Sequence, residues 1–312
     1  MDCAEHLGSL LPRKLAANAC FAVIAPAGPA RLDADKAQQW FNERGYRCRL
    51  YPSVSSSQGY LAGTDQQRLD DLHAAFADPQ VDAILCMRGG YGSMRLLDQI
   101  DFELIARNPK ALIGYSDITA LHTAINRYCG LVSFHGGMLN ADLLGGKLEP
   151  TVSSLLRQLR GEVGQGDALV HPHAYPLTTV LPGVASGRLL GGNLSMLGAT
   201  LSTLGEIDTD GAILFIEDVN EPLYRVDRLL TQLRLAGKLR GVRGVLVGDF
   251  AGITVAAMTP LLQDIFAPLG VPVLAGWRSG HCDPNLCLPL GAQVRLDSDM
   301  QTLVLQQDLF RA

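Results

Sequence analysis

Ser116 stands at a corner in the chain. The apolar run from Lys110 to Tyr115 reads as a buried strand, and Ile118, Leu121, Ile125 and Tyr128 follow at helical spacing, so strand, serine and helix succeed one another without a gap. A hydroxyl there projects from a sheet edge. The start of the helix turns free N–H groups and the positive end of its dipole toward charge developing beside it. That setting suits acyl transfer with serine as the nucleophile. Serine is also a preferred helix cap, and Asp117 and Ile118 occupy the place where a Gly-x-Ser-x-Gly elbow has its second glycine. Read alone, the segment means a cap more often than a catalyst.

A serine nucleophile requires a base, and the base requires an orienting group. Of the seven histidines, His6 lies near the N-terminus, His73 and His122 fall in helical patterns, and His171 and His173 flank a proline in a Pro- and Gly-rich stretch. His135 follows a short apolar run and precedes Gly136 and Gly137, which makes it a candidate to line a site. His281 is the better base. It occurs in the non-periodic segment Trp277 to Leu286, just after the apolar run Val271 to Ala275, and functional groups concentrate on such loops. The third member is expected at the end of another strand, and the apolar residues Ala212 to Ile216 lead directly into Glu217 and Asp218. A carboxylate at the end of a buried strand is costly to desolvate without a partner, which points to Glu217. Capping the helix that begins near Pro222 is the other role open to an acid here, and Asp218 or Asn220 suits it better.

Further short segments run in order along nearly the whole chain: Val23 to Gly28, Arg88 to Gly92, Gly114 to Asp117, His135 to Met138, Gly191 to Leu194, Glu217 to Val219, Tyr224 to Arg228, Gly248 to Phe250, Gly280 to Cys282 and Leu288 to Gly291. In this order and spacing they resemble the LD-carboxypeptidases, serine peptidases that include murein tetrapeptide carboxypeptidases and microcin C self-immunity proteins. The resemblance implies Ser116 as nucleophile, Glu217 as the acid of a triad and His281 as its base, the same residues that local chemistry selects. It also implies an oxyanion hole built from the backbone N–H groups of Asp117 and Gly90. Consecutive glycines after the strand-like run Val81 to Met87 let backbone approach a substrate closely. Arg88 beside them is a candidate to bind a substrate carboxylate in bidentate fashion. Gly137 departs from the proline that many relatives are expected to carry.

The elements that must hold these groups alternate. Strands are expected at Phe21 to Ala25, Tyr46 to Tyr51, Val81 to Met87, Lys110 to Tyr115 and Leu131 to Phe134, with helices at Asp35 to Arg44 and Thr64 to Ala77. That alternation predicts an α/β protein with a parallel sheet covered on both faces. After a stretch rich in Gly, Pro and His come a strand near Ser186 to Leu190, a helix from Asn193, the strand into Glu217, a helix with Leu223, Val226, Leu229, Leu230 and Leu233 on one face, and strands near Val242 to Val247 and at the C-terminus. We expect residues 1–165 to form an N-terminal α/β domain carrying the nucleophile, 166–183 a linker, and 184–312 a C-terminal domain carrying Glu217 and His281. The resemblance implies a flavodoxin-like N-terminal domain and a smaller mixed α/β C-terminal domain, with the site at their interface and a hinge able to assemble it.

Composition narrows the class. The chain of 312 residues has a net charge of −5 and only 6% aromatic residues, so neither nucleic acid nor an anionic membrane is an expected partner. Leu15 to Ala27 is too short and interrupted for a membrane span and lacks the flanks of a signal peptide, so a cytoplasmic location is expected. Seven cysteines without C-x-x-C spacing fit a reducing compartment, with Cys20, Cys48 and Cys86 as packing residues. Cys282 alone invites a chemical role, although neighbouring side chains on an extended segment point apart from each other. No cofactor and no metal are expected, because His281, Cys282 and Cys287 lack zinc-ligand spacing.

For substrate, the resemblance implies a murein tetrapeptide, cleaved between an L-centre and a terminal D-alanine in peptidoglycan recycling, by a homodimer. Keeping the triad and changing the substrate gives a microcin C-type immunity hydrolase of aminoacyl or peptidyl nucleotides. Such relatives are expected to be longer and to stack an aromatic on the base; here the tryptophans are Trp40, in a helical pattern, and Trp277, near His281. A non-catalytic peptide or amino-acid binding protein would require Ser116, Glu217 and His281 to be a cap, a structural acid and a loop residue at once.

Overall fold

The computed structural model describes residues 9–311; Cys3 and His6 lie outside them. Five parallel strands, β1 (Cys20–Ile24), β2 (Arg47–Leu50), β3 (Ala83–Cys86), β4 (Ala111–Gly114) and β5 (Ser133–His135), lie in the order β2-β1-β3-β4-β5. That is the flavodoxin-like order, whose reversal between β1 and β3 opens a crevice at the carboxyl ends of the strands. Each strand begins and ends within two or three residues of its expected place. Side-chain capping explains the helix starts: Asp33 accepts from the Lys36 amide ahead of Ala34–Asn42, and Thr64 from the Gln67 amide ahead of Asp65–Ala77.

The chain then builds a second sheet from β6 (Thr178–Leu181), β7 (Val184–Asn193), β8 (Ala212–Val219), β9 (Gly244–Ala251) and β10 (Val273–Ala275). Next, β11 (Leu288–Leu290) returns to the first sheet, pairing antiparallel with β5. Finally, β12 (Gln293–Asp297) and β13 (Thr302–Leu305) complete the second sheet, in the order β13-β12-β7-β8-β9-β10-β6. β6 lies inside the segment expected as a linker. Its β-branched Thr178, Thr179 and Val180 are strand formers, and pairing with β10 satisfies their backbone, which the surrounding Pro and Gly obscure.

Successive residues of a strand face opposite ways. Phe21 and Val23 point into a core shared with the second sheet, while Ala22 and Ile24 pack on the outer helices Asp65–Ala77 and Thr119–Cys129. Phe134, Leu189, Phe215, Leu246, Leu274, Trp277 and Leu288 are contiguous in the shared core, so the sheets are joined by apolar packing. The far face of the second sheet is covered by Leu194–Ala199, Leu223–Leu235 and Val255–Phe266. An apolar interface of this extent opposes relative motion of the halves, which favours a preassembled site over the expected hinge. Among the described residues, no helix is long and apolar enough to cross a membrane.

Candidate active site

Ser116 follows β4 after one extended residue, Tyr115, and opens a 3-10 turn, Ser116–Ile118, that runs into the helix Thr119–Cys129. Its φ is +65°, a left-handed conformation unusual for serine that stores strain and sharpens the corner. The turn after β3 packs against it: a Cβ on Gly89 would lie 3.0 Å from Ser116 Cβ and 3.1 Å from its Oγ. A side chain at Gly89 would crowd Ser116, so glycine lets this turn approach the serine and the Asp117 backbone closely.

Glu217 comes from β8, fully buried. The pairing of β8 with β9 shifts register between Ile216 and Asp218, an irregularity of the kind that re-aims a side chain beside a site. The two adjacent acids divide their work. Asp218 accepts from the Ser195 amide at 2.8 Å, the Ser195 hydroxyl at 2.7 Å and the Asn193 side chain at 3.0 Å, securing the start of the helix Leu194–Ala199. Glu217 Oε2 instead meets His281 Nδ1 at 2.7 Å and accepts from the His281 amide at 3.2 Å. A carboxylate can only accept, so Nδ1 carries the proton and Nε2 is free to accept from the Ser116 hydroxyl, 3.1 Å away.

His281 is held by its own loop, where the Gly280 amide donates to Asn285 Oδ1 and the Ser279 hydroxyl to the Leu286 carbonyl. Burial lowers the His281 pKa, but the hydrogen bond and charge of Glu217 outweigh it, and the net shift is upward. Burial likewise raises the Glu217 pKa against the opposing pull of His281.

Gly280 has φ +111°, and a Cβ there would collide with Glu217 Oε2 and lie 2.7 Å from its Cγ. Gly280→Ala is therefore expected to push Glu217 and His281 apart and lower kcat/KM by about a hundredfold. Steady-state kinetics beside a thermal melt would check this; unchanged kinetics would show that the contact does not set the His281 position.

The structure brings Ser116, Glu217, His281, Asp117 and the Gly89–Gly90 turn together. The Ser116 side chain makes no capping hydrogen bond to the turn or helix it opens, and its hydroxyl faces His281. Arg88 stands half-buried beside them, donating to the Pro29 carbonyl at 2.9 Å, and forms no ion pair among the described residues. His135 is completely buried between Tyr115 and Phe215, so it supports the site from behind and lines no opening. Burial holds its pKa well below the usual value. The Cys282 thiol donates to the Pro284 carbonyl and burial raises its pKa to about 12, a packed thiol and not a nucleophile. Both tryptophans are buried, with no face free for stacking. Tyr60 and Tyr91, by contrast, are exposed and pack on each other at 5.7 Å, and Tyr91 directly follows Gly90.

Spacing alone does not reveal three neighbours. Tyr115 presents its ring to His281 at 5.0 Å, Asp142 accepts from the Tyr115 hydroxyl, and Lys147 pairs with Asp142. An acid inside the apolar stretch Met138 to Leu144 is the one sequence signal for this group. Across the sheets, the Asn193 amide donates to Thr119 Oγ1 at 3.0 Å, fastening the helix that follows Ser116 to the second half of the chain.

A hydroxyl, an imidazole and a buried carboxylate in a hydrogen-bonded line at a strand-to-helix corner have the layout of a serine hydrolase. Comparison with known proteins narrows this class. The family described as LD-carboxypeptidase N-terminal domain matches residues 21–136, and LD-carboxypeptidase C-terminal domain matches 186–296. A probable murein peptide carboxypeptidase of Bacillus subtilis is 40% identical over 95% of this chain and 94% of its own length. A murein tetrapeptide carboxypeptidase of Pseudomonas aeruginosa is 33% identical over 89% and 93%. Among solved structures, an MccF-like protein from Bacillus anthracis superposes with a TM-score of 0.89 at 26% identity, covering 96% of this chain and all of the other. A muramoyltetrapeptide carboxypeptidase from Oxalobacter formigenes gives 0.79 at 28% identity, covering 94% of this chain and all of that one. The chain belongs to the LD-carboxypeptidase family.

Proposed function

We propose that the protein is a serine carboxypeptidase that hydrolyses the L,D-peptide bond of murein tetrapeptides, releasing the terminal D-alanine in peptidoglycan recycling. The observation that carries this reading is the line from Ser116 Oγ to His281 Nε2 to Glu217 at 3.1 and 2.7 Å, and the named relatives support the substrate. His281 takes the Ser116 proton as Oγ attacks the carbonyl, and Glu217 stabilises the imidazolium. The amides of Gly90 and Asp117 receive the oxyanion, each donor contributing roughly 3 kcal/mol in the transition state. His281 then protonates the departing amine of D-alanine, and water, activated by the same imidazole, releases the acyl group. Arg88, with no acid of its own, holds the terminal carboxylate and so selects the chain end. In this reading residues 1–165 supply nucleophile and oxyanion amides, and 184–312 supply acid and base, in a cytoplasmic homodimer.

The test is D-alanine release from purified murein tetrapeptide. Because the proton acceptor must be neutral and its pKa is raised above the ordinary 6.5, kcat/KM is expected to fall as pH drops through a midpoint above 6.5.

One observation favours a second reading, an immunity hydrolase of aminoacyl or peptidyl nucleotides: the exposed Tyr60–Tyr91 pair beside the glycine turn offers a surface on which a base could stack. Cleavage of an aminoacyl nucleotide with no D-alanine release would select it, and binding without turnover of either would select a peptide-binding protein.

A further inference from the structure

Lys147 belongs to none of the segments that mark the site, yet it touches both sides of it. Its ammonium lies 2.6 Å from Asp142 Oδ1 and donates to the Cys282 carbonyl at 2.8 Å. Each partner adjoins a reacting residue. Cys282 follows His281 directly, and buried Asp142 accepts from the hydroxyl of Tyr115, the residue before Ser116, at 3.1 Å. Asp142 also accepts from the Met138 amide at 2.7 Å, which fixes the carboxylate. The next residue adds a second tie, since the Leu148 amide donates to Asp283 Oδ1 at 2.7 Å. Tyr115 closes the circuit, its ring 5.0 Å from that of His281 and its centroid 5.6 Å from Lys147 Nζ. A lysine side chain only 18% exposed, bonded to two separate segments, is not an ordinary surface ion pair.

Resting on the serine reading above, we propose that Lys147 is a positioning residue: it fixes the loop of the base against the corner of the nucleophile and thereby holds Ser116 Oγ within reach of His281 Nε2. Its charge acts in the same place. The charged groups around His281 are Glu217 and Asp218 from β8, Asp249 at the end of β9, where it pairs with Arg278 at 2.9 Å, and Lys147; His135 behind Tyr115 is neutral. Of these, Lys147 opposes protonation of the base, while Glu217 and Asp218 favour it. Without Lys147, His281 holds a proton to higher pH and fewer molecules carry a working base at neutrality.

The experiment follows phosphonylation of Ser116 by a fluorophosphonate, in which the Oγ–P bond forms, the P–F bond breaks, fluoride leaves and the serine proton passes to His281. This reads the Ser–His pair whatever the natural substrate is. Lys147→Met is expected to react roughly tenfold or more slowly than wild type, with the acid limb of its pH profile moved to higher pH. Lys147→Arg, which keeps the charge and a donor, should recover most of the rate. A Lys147→Met protein labelled as fast as wild type with an unmoved acid limb overturns the proposal, as does a loss that Lys147→Arg leaves unrepaired. If wild-type Ser116 is not labelled at all, the serine reading itself falls, and the role of Lys147 with it.

Discussion

Ser116→Ala is expected to lower kcat for D-alanine release by roughly 10⁴-fold or more while leaving the protein folded. The hydroxyl is the atom that would form the acyl bond, and what remains without it is binding and the oxyanion amides. Structural loss should be small, because the side chain is half-exposed, its contact with His281 is a single hydrogen bond, and alanine keeps the Cβ that meets Gly89. Product release, fluorophosphonate labelling and a thermal melt together check it. Retained turnover would end the case for serine catalysis, whereas lost turnover with an unchanged melt is the outcome a nucleophile requires.

Glu217→Gln should be nearly as damaging, on the order of 10⁴-fold in kcat, for a different reason. The carboxylate accepts from both His281 Nδ1 and the His281 amide. An amide that turns its NH₂ toward Nδ1 forces the ring proton onto Nε2, which then cannot take the proton of Ser116. One that turns its carbonyl keeps the tautomer but loses the negative charge that stabilises the imidazolium. Because that charge raises the His281 pKa, its removal must lower it, and the acid limb of the residual activity is expected to move to lower pH. A pH–rate series on wild type and variant decides the matter. An acid limb that stays in place, or a loss smaller than tenfold, would mean that Glu217 serves packing instead.

The chemistry was more legible in the sequence than the connections. Ser116 and Glu217 follow apolar runs directly and His281 stands on the loop after another, places where functional groups gather, so local pattern nominates all three, and the resemblance favours a catalytic role for Ser116 over that of a cap. The parallel direction of β1 to β5 follows from the alternation of runs, and their order from the resemblance. The left-handed φ of Ser116 leaves no trace in a serine. Nor does the destination of β11, a three-residue strand with Pro289 in its middle, because its backbone partner lies some 150 residues away. Lys147 escapes for a related reason. It sits between glycines and a proline and reads as a solvated loop residue until the fold brings Cys282 to it.

The return of β11 has a meaning for inheritance as well as for stability. Two family segments, 21–136 and 186–296, match the chain like separable modules, but Leu288–Leu290 from the second forms the outer edge of the first one's sheet. Exchanging the latter half for that of a relative would replace this edge strand along with Glu217 and His281. A chimera of two relatives is therefore expected to fold well only where the incoming strand fits Ser133–His135, so the two segments are not interchangeable parts.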